Sequence, residues 1–202
     1  MKLICIGRNY AAHAAELNNK VPKQPLIFMK PASALASSTQ IPYPGFTNDL
    51  HYELEVLLFI NKEAKNVSLE DAHNYYDHIG LGIDFTARDI QQVCKDKGHP
   101  WERAKSFDNS AIIGKRMDKN FFNLEALNFK LKLNDEVVQS GNTKDLIFNF
   151  DVLIHEVSKY FTLNIGDIIF TGTPAGVGAV KPGDKLTAFL EEELYLNLSI
   201  IE

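Results

Sequence analysis

Cysteine is nearly absent from this chain: Cys5 and Cys94 are the only two among 202 residues. They lack the close spacing of a metal knuckle and the density of a disulfide framework, so they read as free thiols in a reducing compartment. Long apolar runs are missing too, which excludes a helical membrane span. The first apolar stretch, Met1 to Ile6, stops at Gly7-Arg8, short of the roughly 7–15 residues in the core of a secretory signal. Nor is there a basic excess. With 21 Lys and Arg against 26 Asp and Glu, the net charge is −5, and no basic stripe exists to meet a phosphate backbone. These absences leave a soluble cytoplasmic protein with no membrane and no nucleic-acid partner. Repeats, low-complexity tracts and linkers are also missing, and the length suits one domain, residues 1–202.

What is present is an alternation of short strands and a few helices. Leu3 to Ile6 reads as a buried strand ending at Gly7, and Asn9 to Asn18 as an alanine-rich helix stopped by Asn18-Asn19. The proline-rich stretch Val21 to Pro31 is irregular, with a short strand at Leu26 to Met29. A continuous strand is predicted through Leu50 to Ile60, a helix at Leu69 to Tyr76 capped by Ser68, and a strand at Ile79 to Phe85. Thr86 to Lys97 is a helix candidate ended by Gly98 and Pro100, and Asp151 to Phe161 carries a helical period. Strands follow at Ala111 to Gly114, Phe129 to Leu133, Val137 to Ser140, Asp167 to Thr171, Lys185 to Leu190 and Leu194 to Ile201, with Asn134-Asp135, Gly166-Asp167 and Gly183-Asp184 as turns. The class is α+β, mostly β.

The feature that points to chemistry is an acidic pair inside an apolar strand: Glu53 and Glu55 in Tyr52-Glu53-Leu54-Glu55-Val56. Strand side chains alternate faces, so the two carboxylates point the same way. Burying either needs a compensating positive charge. A third acid, Asp84, ends the strand Ile79 to Asp84. Three such carboxylates suit octahedral Mg²⁺ or Mn²⁺, with Ca²⁺ also possible; zinc is disfavoured because no His or Cys accompanies them. Bland readings exist as well: a solvent-facing acidic pair on an edge strand, and Asp84 as the N-cap of the helix that follows.

His13 and Glu16 lie three apart on the first helix and share a face. A carboxylate that orients an imidazole makes a general base, although a solvated surface pair has the same spacing. Arg8-Asn9-Tyr10 just before it is dense in polar groups. Thr171-Gly172-Thr173-Pro174-Ala175-Gly176-Val177-Gly178 lacks the Gly-Lys-Ser/Thr ending of a nucleotide loop, leaving a tight turn or a backbone that comes close to a small anionic ligand. Lys105 in Ala104-Lys105-Ser106-Phe107 offers a cation that could pair with a carboxylate, and by itself reads as an ordinary lysine.

Together these segments resemble the fumarylacetoacetate hydrolase family. The resemblance is carried in order by Gly7-Arg8-Asn9-Tyr10-Ala11-Ala12-His13-Ala14-Ala15-Glu16, Lys30-Pro31, Tyr52-Glu53-Leu54-Glu55, Asp84-Phe85-Thr86-Ala87-Arg88-Asp89-Ile90-Gln91, Trp101-Glu102-Arg103-Ala104-Lys105-Ser106-Phe107 and Gly166 to Gly178. It is closest to the short acylpyruvase and oxaloacetate decarboxylase group. It implies a mixed β-roll, a homodimer, and Mg²⁺ or Mn²⁺ on Glu53, Glu55 and Asp84. It also implies a His13–Glu16 dyad on a mobile lid. Arg88, Gln91, Lys105 and Thr173 match positions that contact substrate or shape the site, and Arg8 and Lys30 are further substrate-binding candidates. Substrate choice would vary in Leu17 to Gln24 and Gly114 to Asn123.

The expected reaction is hydrolysis of the C–C bond of 3-acylpyruvates, small oxo-acids such as acetylpyruvate or fumarylpyruvate. His13, polarised by Glu16, would take a proton from water, and Lys105 or Gln91 would stabilise the resulting oxyanion. Pyruvate would leave as an enolate favoured by the Lewis acidity of Mg²⁺. Decarboxylation of oxaloacetate, keto–enol tautomerisation and double-bond isomerisation draw on the same groups. A metal- or ligand-binding domain without catalysis is the rival of another class.

Overall fold

The computed structural model describes residues 1–16 and 20–202. In chain order the strands are β1 (Leu3–Gly7), β2 (Leu26–Lys30), β3 (Gln40–Pro42), β4 (Leu50–Tyr52), β5 (Leu54–Ile60), β6 (Tyr76–Asp84), β7 (Thr86–Ala87), β8 (Ala111–Asp118), β9 (Asn128–Leu133), β10 (Glu136–Asn142), β11 (Ile168–Phe170), β12 (Gly178–Ala179), β13 (Lys185–Leu190) and β14 (Glu193–Ile201). The helices are α1 (Ala11–Glu16), α2 (Arg88–Lys97), α3 (Glu102–Lys105) and α4 (Phe150–Tyr160). A six-stranded sheet has the order β2-β1-β11-β5-β6-β8, a five-stranded sheet β10-β9-β13-β14-β3, and a small third sheet β12-β4-β7. Pairing is mixed: β1 runs parallel to β11 while β5 is antiparallel to both β11 and β6. The chain is mostly β, as expected.

The two-residue period of the large sheet decides what each face does. Ile4 and Ile6 of β1, Val56, Leu58 and Ile60 of β5, and Ile79, Leu81 and Ile83 of β6 enter the main core. There they meet Phe129, Leu131, Leu186 and Ala188 of the five-stranded sheet and Leu153, Ile154 and Val157 of α4. The alternate residues Leu3, Cys5, Leu57, Phe59, Ile168 and Phe170 form a smaller cluster on the opposite face. Glu53, Glu55 and Asp84 share the parity of that second face. Register then brings them together. Leu54 pairs with Ile83 and Glu55 with Gly82, and the Asp84 N–H donates to the Glu53 carbonyl at 2.9 Å.

Several expectations need correction. The predicted strand Leu50 to Ile60 is two strands in different sheets, broken at Glu53: β4 pairs with β7 and β12, β5 with β11 and β6. The break coincides with a side chain from elsewhere, because the Leu54 N–H donates to Gln139 Oε1 at 2.9 Å. Leu69 to Tyr76 is not a helix. It holds one 3₁₀ turn, Ala72–Asn74, and Tyr76 already begins β6. Ser68 Oγ does accept from the Asp71 N–H, but Leu69 is half exposed and gives the segment no apolar anchor. The first helix starts at Ala11 because Asn9 is spent elsewhere: its Nδ2 donates to the Phe148 and Thr171 carbonyls and its Oδ1 accepts from the Phe148 N–H. The expected stop at Asn18-Asn19, and residues 17–19 of the variable segment Leu17 to Gln24, lie outside the described residues. Thr86-Ala87 pair with β4 and do not open the helix, so α2 begins at Arg88. Strands β3 and β12 and helix α3 were not foreseen.

Candidate active site

Three segments that are short in sequence and far apart in the chain build one pocket. Its floor is the carboxylate face of β5 and β6. Glu53, Glu55 and Asp84 are 5%, 2% and 0% exposed, and one oxygen from each lies within 4.8 Å of the others. Burial rules out the solvent-facing pair: β5 is an interior strand. Asp84 is no helix cap either, since the cap position of α2 is Ala87 and no side chain caps it.

Cations converge on two of the three acids. Lys105 Nζ lies 2.7 Å from Glu53 Oε2 and 2.8 Å from Asp84 Oδ2. Arg88 Nη2 donates to Glu53 Oε1 at 2.6 Å. Lys30, fully buried at the end of β2, places Nζ 2.7 Å from Asp84 Oδ1, a close ion pair without the angles of a hydrogen bond. Its donors go to the Lys105 and Phe85 carbonyls. Burial opposes ionisation of Glu53, but the charges of Lys105, Arg88 and His13 outweigh it and hold the carboxyl well below the usual range. Burial also disfavours the Lys105 ammonium, yet Asp84 and Glu53 push it up to about 12.

Glu55 differs. Among the described residues no cationic side chain pairs with it, and its one strong contact is a Gly172 N–H donating to Oε2 at 2.7 Å. Burial, then Asp84 and Glu53, push its carboxyl well above the ordinary value. A buried carboxylate short of positive charge, beside two more oxygen donors, is the environment a hard dication satisfies. Every carboxylate oxygen here keeps a lone pair beyond its present contact. The residues therefore fit Mg²⁺, Mn²⁺ or Ca²⁺. The absence of His and Cys from the cluster does not fit a zinc site.

The wall over this floor is α1 and the loop from Thr171 to Gly178. His13 is buried, and its Nδ1 lies 3.3 Å from Glu16 Oε2. Glu16 is itself anchored, since its Oε1 accepts from the Gly176 N–H at 3.0 Å. The loop's backbone donors thus meet the protein's own carboxylates, Glu55 and Glu16. Gly172 and Gly176 adopt φ of +106° and +96°, and a Cβ on Gly176 would stand 2.2 Å from the Val138 carbonyl oxygen. Thr173 Oγ1 accepts from Gln139 Nε2 at 2.8 Å.

The third side is α2. Positions 88, 91 and 95 follow helical spacing, and Arg88, Gln91 and Lys95 all line the pocket. Arg88 Nη1 donates to Gln91 Oε1 at 2.7 Å, which turns the Gln91 amide NH₂ outward as a donor. Arg8, at φ +59°, closes the rim. Leu26, Phe28 and Trp101 complete the lining of a cavity of about 40 Å³. Of the site residues expected from the sequence, all but Glu16 and Lys30 line this pocket, and those two contact His13 and Asp84, which do. Lys95 and Gln139 were missed. Lys95 had a legible signal in its helical spacing from Arg88 and Gln91; Gln139 had none.

The family model for the fumarylacetoacetate (FAA) hydrolase C-terminal region matches residues 2–195. The chain belongs to this family. Oxaloacetate tautomerase FAHD1, mitochondrial, from Arabidopsis thaliana is 43% identical over 194 residues, covering 93% of this chain and 85% of that protein. The Homo sapiens protein of the same name is 41% identical over 188 residues, covering 92% and 85%. Among solved structures, fumarylpyruvate hydrolase from Pseudomonas aeruginosa in complex with Mn²⁺ and pyruvate superposes with a TM-score of 0.94 at 33% identity, covering all of this chain and 89% of that one. The family's named members are thus enzymes of small oxo-acid chemistry, and one holds a divalent metal. No helix among the described residues is long and apolar enough to cross a membrane.

Proposed function

We propose that this protein is a divalent-metal-dependent enzyme that moves a proton at C3 of a small 2-oxo acid, with keto–enol tautomerisation of oxaloacetate as the reaction the site fits first. The carrying observation is the placement of the His13–Glu16 pair on the wall above three buried carboxylates. One fact puts tautomerisation ahead of the hydrolysis favoured by the sequence: the relatives named above as oxaloacetate tautomerases align over nearly the whole chain at 41% and 43% identity, against 33% for the fumarylpyruvate hydrolase.

Glu53, Glu55 and Asp84 would hold the cation. When bound, it supplies Lewis-acid polarisation of the 2-oxo group. The protein's own groups do the rest. Glu16 engages His13 Nδ1 and leaves Nε2 to exchange the C3 proton. Gln91 and Thr173 orient the acid. The buried Lys105 charge favours the oxygen-centred anion that forms as C3 loses its proton.

A second reading, hydrolysis of 3-acylpyruvates, is favoured by the dyad itself and by the fumarylpyruvate hydrolase likeness. There His13 takes a proton from water, the water oxygen joins the acyl carbon, and the C3–C4 bond breaks to give pyruvate and a carboxylic acid.

The deciding experiment supplies oxaloacetate and acetylpyruvate with Mg²⁺ or with chelator and follows enol absorbance, pyruvate, acetate and carbon dioxide. Enol–keto exchange of oxaloacetate without pyruvate marks the tautomerase; pyruvate and acetate from acetylpyruvate mark the hydrolase; carbon dioxide marks a decarboxylase. Turnover of neither compound sinks the proposal and leaves a binding domain; turnover unchanged by chelator or by His13→Ala sinks the metal and His13 roles. The same reading takes residues 1–202 as one catalytic domain, acting in the cytoplasm as a homodimer; light scattering and cell fractionation test the last two points.

A further inference from the structure

We infer that Trp101, set against Phe28, limits the length of the chain a ligand can carry beyond C3, because this aromatic pair walls the pocket off from a groove beside it. The inference rests on the 2-oxo acid reading above and names a specificity-determining residue for the same site. Leu26, Phe28 and Trp101 line two cavities at once: the pocket over the carboxylates, and a groove of about 310 Å³ between β2 and the segment His99 to Ser106. The rings of Phe28 and Trp101 meet edge to face, with centroids 6.0 Å apart and planes at 60°. The partition begins next to the carboxylate floor: Lys105 Nζ, 2.7 Å from Glu53 Oε2, lies 5.1 Å from the Phe28 ring centroid. One aromatic pair therefore separates the floor from the groove.

The two rings are held differently. Phe28 lies on β2 opposite Cys5 of β1 and packs against the smaller core cluster. Trp101 is half-buried in the connection between α2 and α3, three residues after Gly98, whose φ of +65° ends α2. Its carbonyl accepts from the Ala104 and Lys105 N–H groups at 2.8 and 2.9 Å. Those bonds are main-chain, so loss of the indole leaves the turn that carries Lys105 and opens the pocket into the groove. Beyond the wall, Ile27, Met29 and Pro100 present hydrocarbon, and the Ser106 hydroxyl is already committed to the Met29 carbonyl at 2.8 Å. Among the described residues no Lys or Arg lines the groove, whereas Glu102 does. The chain that the groove suits is an uncharged alkyl chain, since a carboxylate there would meet a like charge.

The test is calorimetric binding to the Mg²⁺-loaded protein of two unreactive acids, pyruvate and 2-oxooctanoate, which share the 2-oxo acid head and differ in alkyl length. Wild type is expected to bind pyruvate at least as tightly as 2-oxooctanoate. In Trp101→Ala the ratio shifts about 10-fold or more towards 2-oxooctanoate, since each methylene that reaches the groove contributes about 4-fold. Trp101→Leu, which keeps an apolar side chain in the turn, shifts the ratio the same way by less and carries the test if the alanine protein does not fold. Tighter binding of 2-oxooctanoate by wild type, equal weakening of both acids in the variants, or an unchanged ratio overturns the inference and leaves the 2-oxo acid reading standing. No measurable binding of either acid by wild type overturns both.

Discussion

Gln139 and Leu54 join the two large sheets at the point where the acidic strand breaks: Gln139 Oε1 accepts the Leu54 N–H at 2.9 Å, between Glu53 and Glu55. The same amide donates from Nε2 to Thr173 Oγ1 and to the Pro174 carbonyl. One buried side chain thus fixes both the floor and the loop above it. Gln139→Leu would leave a buried N–H and two buried acceptors unpartnered, at about 1–3 kcal/mol for such a group. Thermal melting is expected to fall by several degrees, and kcat by about 10-fold or more from misplaced groups. A melting point and kcat both equal to wild type would show that this link does nothing.

Lys105 bridges Glu53 and Asp84 with one ammonium. It competes with any dication for the same oxygens while neutralising the cluster in its absence. Lys105→Met should therefore bind Mn²⁺ about 10-fold more tightly, by removal of a neighbouring positive charge, yet lose turnover by about 100-fold or more. Titration calorimetry with Mn²⁺ beside steady-state kinetics reads both. Weaker Mn²⁺ binding would mean that the ammonium holds the acids in place and does not compete.

Gly172 gives its N–H to Glu55 from a backbone that L residues avoid. A Cβ there would lie 2.6 Å from the Asn9 Cβ. Gly172→Ala is expected to cost more than about 1 kcal/mol from the backbone alone. The backbone N–H survives the substitution, but the shift that relieves the clash would move it away from Glu55, whose one strong contact it is. Urea denaturation checks the cost, and an unchanged midpoint would contradict the crowding.

Away from the pocket, Asp167 ties the N-terminus to the sheet. Its carboxylate accepts from the Lys2 and Asn164 N–H groups and pairs with Lys2 Nζ. Burial opposes its ionisation, but these contacts lower its pKa. A depressed folded-state pKa gives stability that is present above the ordinary carboxylate value and lost as pH falls through the folded value. Asp167→Asn should therefore destabilise the protein at neutral pH and show a shallower loss of stability below about pH 4 than wild type. Parallel stability–pH curves for the two proteins would refute this.

The sequence disclosed the acids because a carboxylate in an apolar strand is anomalous, and parity alone puts Glu53 and Glu55 on one side. It disclosed α4 through its helical period and α2 through the Gly98 and Pro100 that stop it. It did not disclose the break at Glu53, because the apolar run continues through it and the cause is Gln139, 85 residues away. The segment before Tyr76 misled for a related reason: a cap and a leucine start a turn, but only packing prolongs it. Lys30 reads locally as the polar end of a short strand, and only the family resemblance singled it out, since its burial depends on Asp84.

The acid–base pair stands on a different kind of support from the floor beneath it. α1 is six residues long, and of these only His13 and Ala14 are buried. So short a helix has little intrinsic stability, and Glu16 is held to the loop by a single N–H. The carboxylates, by contrast, are stitched into interior strands. Local opening at α1 can therefore expose and re-seat the imidazole at small free-energy cost while the oxygen donors stay where they are. Amide exchange at His13 and Ala14 should outrun that of β5 by orders of magnitude, so that the proton carrier comes and goes over a stationary anvil.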